Sequence, residues 1–324
     1  MLAFLLRRIF EAVVVMVVVA FIAFSMFRFM GDPVANMMGP DATMADRQAM
    51  RERLGLDRPF PIQFGHFIED ISQGNFGVSF RVGRPVIDLI GERLPATLEL
   101  AFVSGLFALA FGLGFGVYTA LRRSGLVSRA IMAISLIGVS LPTFLIGIGL
   151  IYLFAVELRW LPSFGRGDVV RVGSWTTGFL TRSGLASLVL PAITLGLFQM
   201  TLIMRLVRAE MLEVLRQDYI RFARARGLTD RAVHFRHALK NTLVPVITVM
   251  GLQLGSIVAF SIITETVFQW PGIGSLFISS VQAVDIPVMA TYLLFVAGFF
   301  VAVNLIVDLL YFAVDPRLRG SGGH

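Results

Sequence analysis

The sequence contains no cysteine and few charged residues. Only 15% of its 324 residues are charged, whereas an ordinary soluble domain has about 25%. A chain with so little charge has too few polar residues to cover its own surface in water. The absence of cysteine excludes disulfides, thiolate nucleophiles and thiolate metal sites, so it carries no information about the redox compartment.

Lysine is nearly absent as well. Lys240 is the only lysine among the 28 lysine and arginine residues, and it lies between Leu239 and Asn241. A phosphate-binding P-loop requires a lysine followed directly by serine or threonine. The chain cannot form that kind of ATP site, so we expect it to hold no cofactor and to be no enzyme. Any energy from ATP must come from a partner subunit.

Motifs for other chemistry are also missing. The hydrolase pattern Gly-x-Ser-x-Gly does not occur, and the apolar stretches contain no convincing catalytic set. His234 and His237 have the spacing to share a helix face, but the two other histidines, His66 and His324, lie far away in the sequence. We therefore expect no metal site.

Apolar residues, in contrast, are abundant. They make up 56% of the chain, and a membrane-spanning helix needs roughly 20 of them in succession. The first apolar stretch is too long for a signal peptide and has no small-residue cleavage site, so we interpret it as a retained span. Six spans are predicted, near residues 9–30, 98–121, 130–156, 185–206, 244–268 and 288–314.

The distribution of basic residues predicts the orientation. With the N-terminus in the cytoplasm, the inside segments hold 15 basic residues in 63 positions, and the outside segments hold 11 in 114. Loops rich in arginine and lysine remain in the cytoplasm. Both termini are therefore expected on the cytoplasmic side.

The longest predicted cytoplasmic loop, residues 207–243, shows a helical pattern that is interrupted at one glycine. Apolar residues recur at helical spacing on both sides of it, with arginines between them. Gly227 is expected to end the first helix in the left-handed conformation, followed by the apolar Leu228. Thr229 is then expected to cap a second helix, whose first turn contains Asp230.

This arrangement resembles the EAA loop of the membrane subunits of bacterial ABC importers. The stretch "DYIRFARARGLTDRAVHFRHALKNTLVPVIT" is similar to the variant found in dipeptide and oligopeptide permeases. The segments "RERLGLDRP", "GRPVIDLIGERLPATLEL", "ETVFQWPGIG" and "NLIVDLLYFAVDPRLR" resemble the same family, in the same order. The resemblance covers nearly the whole chain.

The family resemblance can be carried onto individual positions. Gly227 matches the family glycine, Ala223 the second alanine of the motif and Pro245 the following proline. Arg221 stands where the general motif has glutamate, and Phe222 where it has alanine; the departure at glutamate is usual among peptide permeases. The resemblance implies an ATPase-coupling loop that includes Arg221, Phe222, Ala223, Arg224, Gly227, Leu228 and Pro245.

The resemblance also implies the fold and the partners. We expect an all-α polytopic permease of the bacterial inner membrane, with six transmembrane helices and a cytoplasmic coupling helix between spans 4 and 5. The expected partners are a second homologous permease in a heterodimer, two cytoplasmic ATPase subunits that bind ATP and Mg, and an extracytoplasmic solute-binding protein. Relatives carry dipeptides, longer peptides, nickel chelates and glutathione-like molecules, so the substrate stays open within that class.

Three regions are predicted along the chain. Residues 1–97 form the first transmembrane helix and an extracytoplasmic segment, residues 98–314 form a five-helix permease core with the coupling loop at about 216–240, and residues 315–324 form a cytoplasmic tail. Segment 31–97 is expected either to help receive the binding protein or to cover the helix bundle. Within it, Thr43 is a candidate helix cap, and "RPVIDLIGERLPATL" is expected to lie along the membrane interface.

Several residues inside the spans have two interpretations. Asp308, with Asn304 one turn away, either pairs with a neighbouring helix or lines the solute path. Interfacial anchoring or interhelical pairing is expected for the remaining charged residues near span ends, which are Arg28, Glu99, Arg205 and Glu265. Close packing, within the subunit or against the second permease, is expected at Gly112, Gly116, Gly251 and Gly255. A kink or a helix start is expected at Pro142 and Pro191.

Two other functions fit parts of the sequence. A proton-coupled secondary transporter would place carboxylates near the membrane midplane and often contains inverted repeats. The chain shows no such repeat, and Asp308 alone is a weak proton relay. A nucleic-acid-binding or calmodulin-type role would explain the basic residues of 216–240, but it leaves Gly227 and Pro245 without a purpose.

Overall fold

A computed structural model describes residues 2–29, 34, 38, 43–53 and 57–314. Eleven α-helices are found in these ranges: α1 Leu2–Phe29, α2 Met44–Arg53, α3 Phe60–Ser72, α4 Val86–Leu121, α5 Leu126–Ser140, α6 Thr143–Leu150, α7 Arg182–Val214, α8 Asp218–Ala225, α9 Leu239–Val267, α10 Ile273–Gln282 and α11 Ile286–Val314. Two π-helical segments, Ile151–Glu157 and Ala232–Ala238, adjoin α6 and α9. The strands β1 (Val170–Val172) and β2 (Trp175–Thr177) form an antiparallel hairpin. The predicted all-α class is confirmed.

The helices account for the predicted spans in two ways. Four segments are long and apolar enough to cross a membrane alone: Leu6–Met26, Val86–Leu121, Arg182–Val214 and Ile286–Val307. Two further candidates are pairs of helical segments that are bent at a break. If each bent pair counts as one span, the described residues hold six spans, in agreement with the prediction.

The span expected over residues 130–156 is not one continuous helix. Helix α5 ends at Ser140, and its axis makes an angle of 113° with the helical segment Thr143–Glu157. Leu141 adopts an extended conformation because the residue before a proline is disfavoured in the helical region. Pro142 then caps the start of α6. The expectation of a kink or a helix start at Pro142 is confirmed.

The segment expected to lie along the membrane interface forms the first turns of a long helix. Helix α4 starts at Val86 and continues through Pro95 to Leu121. Val86 and Ile90 are fully buried, so the protein itself covers the apolar side of these first turns. Burial on one side accounts for the alternation of apolar and polar residues here. The position of these turns at the membrane interface stays a prediction.

The chain divides into two compact units. The first contains Met1–Pro95 and Gly272–Ala302. In this unit, Phe21 and Phe24 of α1 make ring contacts with Phe60 and Phe64 of α3. The carboxylate of Asp285 accepts hydrogen bonds from the hydroxyl of Ser79 and from the backbone N–H groups of Phe80 and Arg81. Thr43 caps α2, as expected, by accepting a hydrogen bond from the N–H of Asp46.

The second unit contains Ala96–Pro271 and Val303–His324. Helix α7 packs here against α4, α5, α6 and α9. The crossing with α4 is close, because Gly112 faces Ile203 and Gly116 faces Val207. Gly251 of α9 similarly faces Val307 of α11. These glycines therefore serve packing within the subunit, which was one of the two expectations.

Candidate functional site

Helix α8 carries the residues expected to couple the chain to an ATPase, and one side of it is anchored in the protein. Ile220 is fully buried, and Ala223 is nearly so. Both belong to an apolar cluster with Val233 and Ala238 of the following π-helical segment and Met211 of α7. This packing follows from the three-residue spacing of Ile220 and Ala223, which places both side chains on one face of the helix.

The turn after α8 is a Schellman motif. Gly227 has a φ of +79°, its N–H donates to the carbonyl of Arg224 (2.9 Å), and the N–H of Leu228 donates to the carbonyl of Ala223 (3.3 Å). These are the two hydrogen bonds that define the motif, in which the residue with positive φ is usually glycine. No atom lies within 4 Å of a Cβ built on Gly227. Backbone conformation, and not space, therefore selects glycine here, as the sequence predicts.

The opposite side of α8 is exposed, basic and aromatic. Phe222 is 65% exposed, and the guanidinium carbon of Arg226 lies 5.8 Å from the centre of its ring. Arg221 contacts Asp218 at 3.3 Å, and Arg224 contacts Asp230 at 4.0 Å, with all four side chains largely in solvent. Such exposed pairs contribute about 0–1 kcal/mol to stability. The arginines are thus available to a partner.

The second half of the loop leads directly into a span. The hydroxyl of Thr229 accepts a hydrogen bond from the N–H of Ala232 (3.4 Å), so the expected cap is present. The π-helical segment then continues into α9, which contains Pro245. The side chain of Asn241 donates to the hydroxyl of Tyr219 (2.6 Å) and connects α9 back to α8. A displacement of α8 would therefore act on the beginning of α9 through several contacts.

The polar residues predicted in the last span are only partly described. The side-chain oxygen of Asn304 is buried and has no hydrogen-bond partner among the described residues. Asn304 lies one helical turn before Val307, which packs against Gly251 of α9. The side chain of Asp308, and the predicted tail 315–324, lie outside the described residues. The choice between pairing and path lining for these two residues stays open.

The loop between the π-helical segment Ile151–Glu157 and α7, residues 158–181, is named here the hairpin loop because it contains β1 and β2. A buried ion pair holds it to α4. The Nη2 atom of Arg166 lies 2.6 Å from Glu99 Oε2, and the two side chains are only 7% and 2% exposed. Arg166 also donates to Thr176 through Nη1 (3.1 Å) and Nη2 (2.7 Å), and the N–H of Gly178 donates to Glu99 Oε1 (3.2 Å).

Only one partner of this ion pair is predicted from the sequence. Glu99 was expected to pair or to anchor at an interface, but Arg166 was not considered as its partner. The alternation in "VVRVGSWTT", with a Gly-Ser pair in the middle, is a hairpin signal that could have identified the loop as structured. Neither the hairpin signal nor the charge of Glu99 predicts that Arg166 lies next to Glu99, because that contact depends on tertiary structure.

A second polar cluster lies between α4 and the end of α9. The hydroxyls of Thr97 (2.6 Å) and Ser261 (3.1 Å) donate to Glu265 Oε1. The indole N–H of Trp270 donates to the carbonyl of Ala96 in α4 (2.9 Å). All of these side chains are buried. Glu265 is thus hydrogen-bonded to the neighbouring α4 through Thr97 and to its own helix through Ser261, and the contact with α4 is the interhelical pairing expected for this residue.

Comparison with known proteins decides the family. Residues 112–320 match the family described as "Binding-protein-dependent transport system inner membrane component", and residues 1–101 match the N-terminal domain described for the same kind of component. The chain belongs to this family. It is therefore a multi-pass inner membrane protein and a permease subunit of an ABC transporter.

Three relatives of this permease extend over nearly its full length. The "Probable peptide ABC transporter permease protein y4tP" of Sinorhizobium fredii is 41% identical, over 98% of this chain and 99% of the relative. The "Di/tripeptide transport system permease protein DppB" of Pseudomonas aeruginosa is also 41% identical over the same shares. The "Glutathione transport system permease protein GsiC" of Escherichia coli strain K12 is 37% identical, again over 98% and 99%.

A solved structure supports the fold of the permease. A chain of the MetNI methionine ABC transporter, in an inward facing conformation, matches with a TM-score of 0.55 and 22% identity. The match covers 71% of this chain and 97% of the other. At this identity the similarity concerns the fold alone. No relative among these comparisons supports the proton-coupled alternative.

Proposed function

We propose that the permease imports peptides or related small solutes and forms half of their path through the membrane. The observation that carries this proposal is the identity of about two fifths, over nearly the full length, to permeases named for peptide and di/tripeptide transport. The relative named for glutathione transport extends the class to peptide-like molecules. The substrate is thus proposed as a class and not as a single compound.

The proposed complex contains further subunits. A second, homologous permease encloses the other half of the path, in a heterodimer. Two cytoplasmic ATPase subunits bind ATP and Mg, because this chain offers only Lys240 and lacks the P-loop sequence. An extracytoplasmic solute-binding protein delivers the substrate, in line with the description of the family.

Helix α8 is proposed as the coupling helix that enters a groove on an ATPase subunit. Its buried side fixes it to α7 and to the π-helical segment, while Phe222 and the surrounding arginines remain exposed. The Schellman turn at Gly227 sets the direction in which the chain continues toward α9. The coupling loop is proposed to include Arg221, Phe222, Ala223, Arg224, Gly227, Leu228 and Pro245.

The proposed orientation places α8 and both termini in the cytoplasm. It is supported by the excess of arginine in the loop that contains α8. The hairpin loop precedes α7 and α8 follows it, and α7 has 33 residues, a length of about 50 Å. The two loops therefore lie on opposite sides of the membrane, so the hairpin loop is proposed to be extracytoplasmic.

A reconstitution experiment tests the function. The permease is coexpressed with its partner subunits, purified in detergent and placed in liposomes with ATP inside. Uptake of a labelled dipeptide library, identified by mass spectrometry, should require ATP and the binding protein. Uptake that persists without ATPase subunits and follows an imposed pH gradient would show that the protein is a secondary transporter instead.

A further inference from the structure

The hairpin loop is fixed to three spans and is not a free connection. The Arg166–Glu99 pair connects it to α4 (2.6 Å), and the N–H of Gly165 donates to the carbonyl of Phe268 directly after α9 (2.9 Å). The hydroxyl of Thr181, which caps α7, donates to the carbonyl of Asp168 (2.6 Å). A loop with this many buried and capping contacts presents a surface of fixed shape.

The exposed side of the hairpin loop is apolar and carries more arginine than acid. Trp160 is 70%, Val172 55% and Leu180 67% exposed. Three arginines at or beside the loop are exposed, against two acids, Glu157 and Asp168; the arginines are Arg159, Arg171 and Arg182. Exposed aromatic and aliphatic side chains with arginine nearby are typical of protein interfaces. The complementary surface would be acidic with apolar pockets.

The hydrocarbon core of a membrane does not suit this surface. The strands β1 and β2 have only each other as partners among the described residues, so the outer backbone groups of both strands lack a neighbouring strand. Unpaired backbone N–H and C=O groups are excluded from the hydrocarbon region. The hairpin therefore lies outside that region, in water, among the lipid headgroups or against another protein.

We propose that the hairpin loop is the docking surface for the extracytoplasmic binding protein, and that this partner presents an acidic rim around an apolar patch. The proposal rests on the proposed function, since it requires a binding-protein-dependent importer in the stated orientation. Because the loop is connected to α4, α7 and α9, docking there acts on three spans together. Segment 31–97, the region expected from the sequence to help receive the binding protein, is then not the main contact.

The test compares two matched double variants of the intact complex in nanodiscs. Arg171→Glu with Leu180→Asp changes one exposed arginine and one exposed aliphatic residue of the hairpin loop. Arg51→Glu with Met44→Asp makes the equivalent changes on α2, where Met44 is 82% exposed. The dissociation constant of the purified, substrate-loaded binding protein is measured for both by biolayer interferometry.

The hairpin variant should bind at least tenfold more weakly, while the α2 variant should stay within twofold of the unchanged complex. The reverse pattern, or equal binding by all three complexes, would overturn the proposal. A loss of binding that occurs only in nanodiscs with anionic lipid would assign the loop to the membrane surface. Loss of the second permease subunit from the purified hairpin variant would assign the loop to the interface between the two permeases. Either result would also overturn the proposal. If the unchanged complex does not bind the binding protein, the proposed function itself fails.

Discussion

At the scale of single residues, Gly227 gives the sharpest prediction for coupling. A side chain with a Cβ costs about 1–2 kcal/mol in the left-handed conformation, and a β-branched side chain fits it least well. Gly227→Val should therefore fray the Schellman turn while the spans, which lie outside the loop, still insert. We expect normal levels of the permease in the membrane and at least a tenfold loss of ATPase stimulation by the loaded binding protein.

Gly227→Asn is the matched control for this variant. Asparagine is the other residue that commonly ends helices in the left-handed conformation, and no neighbouring atom lies within 4 Å of the new Cβ. Its stimulated ATPase activity should stay close to that of the unchanged complex. Full stimulation in Gly227→Val would contradict the coupling role, and loss of that variant from the membrane would identify Gly227 as a folding residue.

Glu99 and Arg166 give a prediction about stability. Removing one partner of a buried ion pair costs about 3–5 kcal/mol, because the remaining charge is uncompensated. Glu99→Gln should lower the thermal unfolding temperature of the purified complex by several degrees, and the double change Glu99→Gln with Arg166→Gln should recover part of that loss. Unfolding is followed by tryptophan fluorescence in detergent.

The exposed pair Arg84–Glu92 provides the comparison. Its side chains approach to 2.6 Å, but they are 46% and 56% exposed. Solvent screens such a pair, so Glu92→Gln should change the unfolding temperature much less than Glu99→Gln does. Equal shifts in unfolding temperature for the two variants would mean that burial of the Glu99–Arg166 pair does not increase its contribution to stability.

At the scale of helices and loops, the crossing of α4 and α7 makes a prediction about packing. A Cβ on Gly116 would lie 2.6 Å from Val207 Cβ and 2.9 Å from the carbonyl oxygen of Met204. Because a backbone oxygen cannot move aside easily, Gly116→Ala should separate the helices at a cost of about 1–3 kcal/mol. Gly114 has no atom within 4 Å of such a Cβ, so Gly114→Ala should leave the unfolding temperature unchanged or raise it. A loss of stability in Gly114→Ala alone would contradict this packing.

The sequence predicts these elements well where local physics decides them. The turn at Gly227 and the caps at Thr43 and Thr229 follow from short-range hydrogen bonds, and the spans follow from hydrophobicity. The 113° bend at Pro142 was not predicted in size, because a proline fixes where a helix breaks but not the direction of the next one. The partner of Glu99 lies 67 residues away in sequence, and only tertiary packing brings it into contact.

At the scale of the whole molecule, the lack of cysteine makes the topology directly testable. Ser124, between α4 and α5, and Ser174, between β1 and β2, are both exposed. In the proposed orientation, an impermeant maleimide added to spheroplasts should label Ser174→Cys and not Ser124→Cys. Both should react after permeabilisation, which controls for intrinsic reactivity. Labelling of Ser124→Cys alone in intact spheroplasts would reverse the orientation.

Helix α7 joins the hairpin loop to α8 without a break over its 33 residues. Long helices bend only gently unless a defined feature kinks them, and α7 contains such a feature in Pro191. The stretch from Ala192 to Val214 contains no proline, so a displacement at its beginning is carried to the end next to α8. The other spans change direction at Leu141 and Pro142 and in α9 after Pro245. In the proposed transport cycle, bending is therefore expected near these prolines and not along the continuous second part of α7.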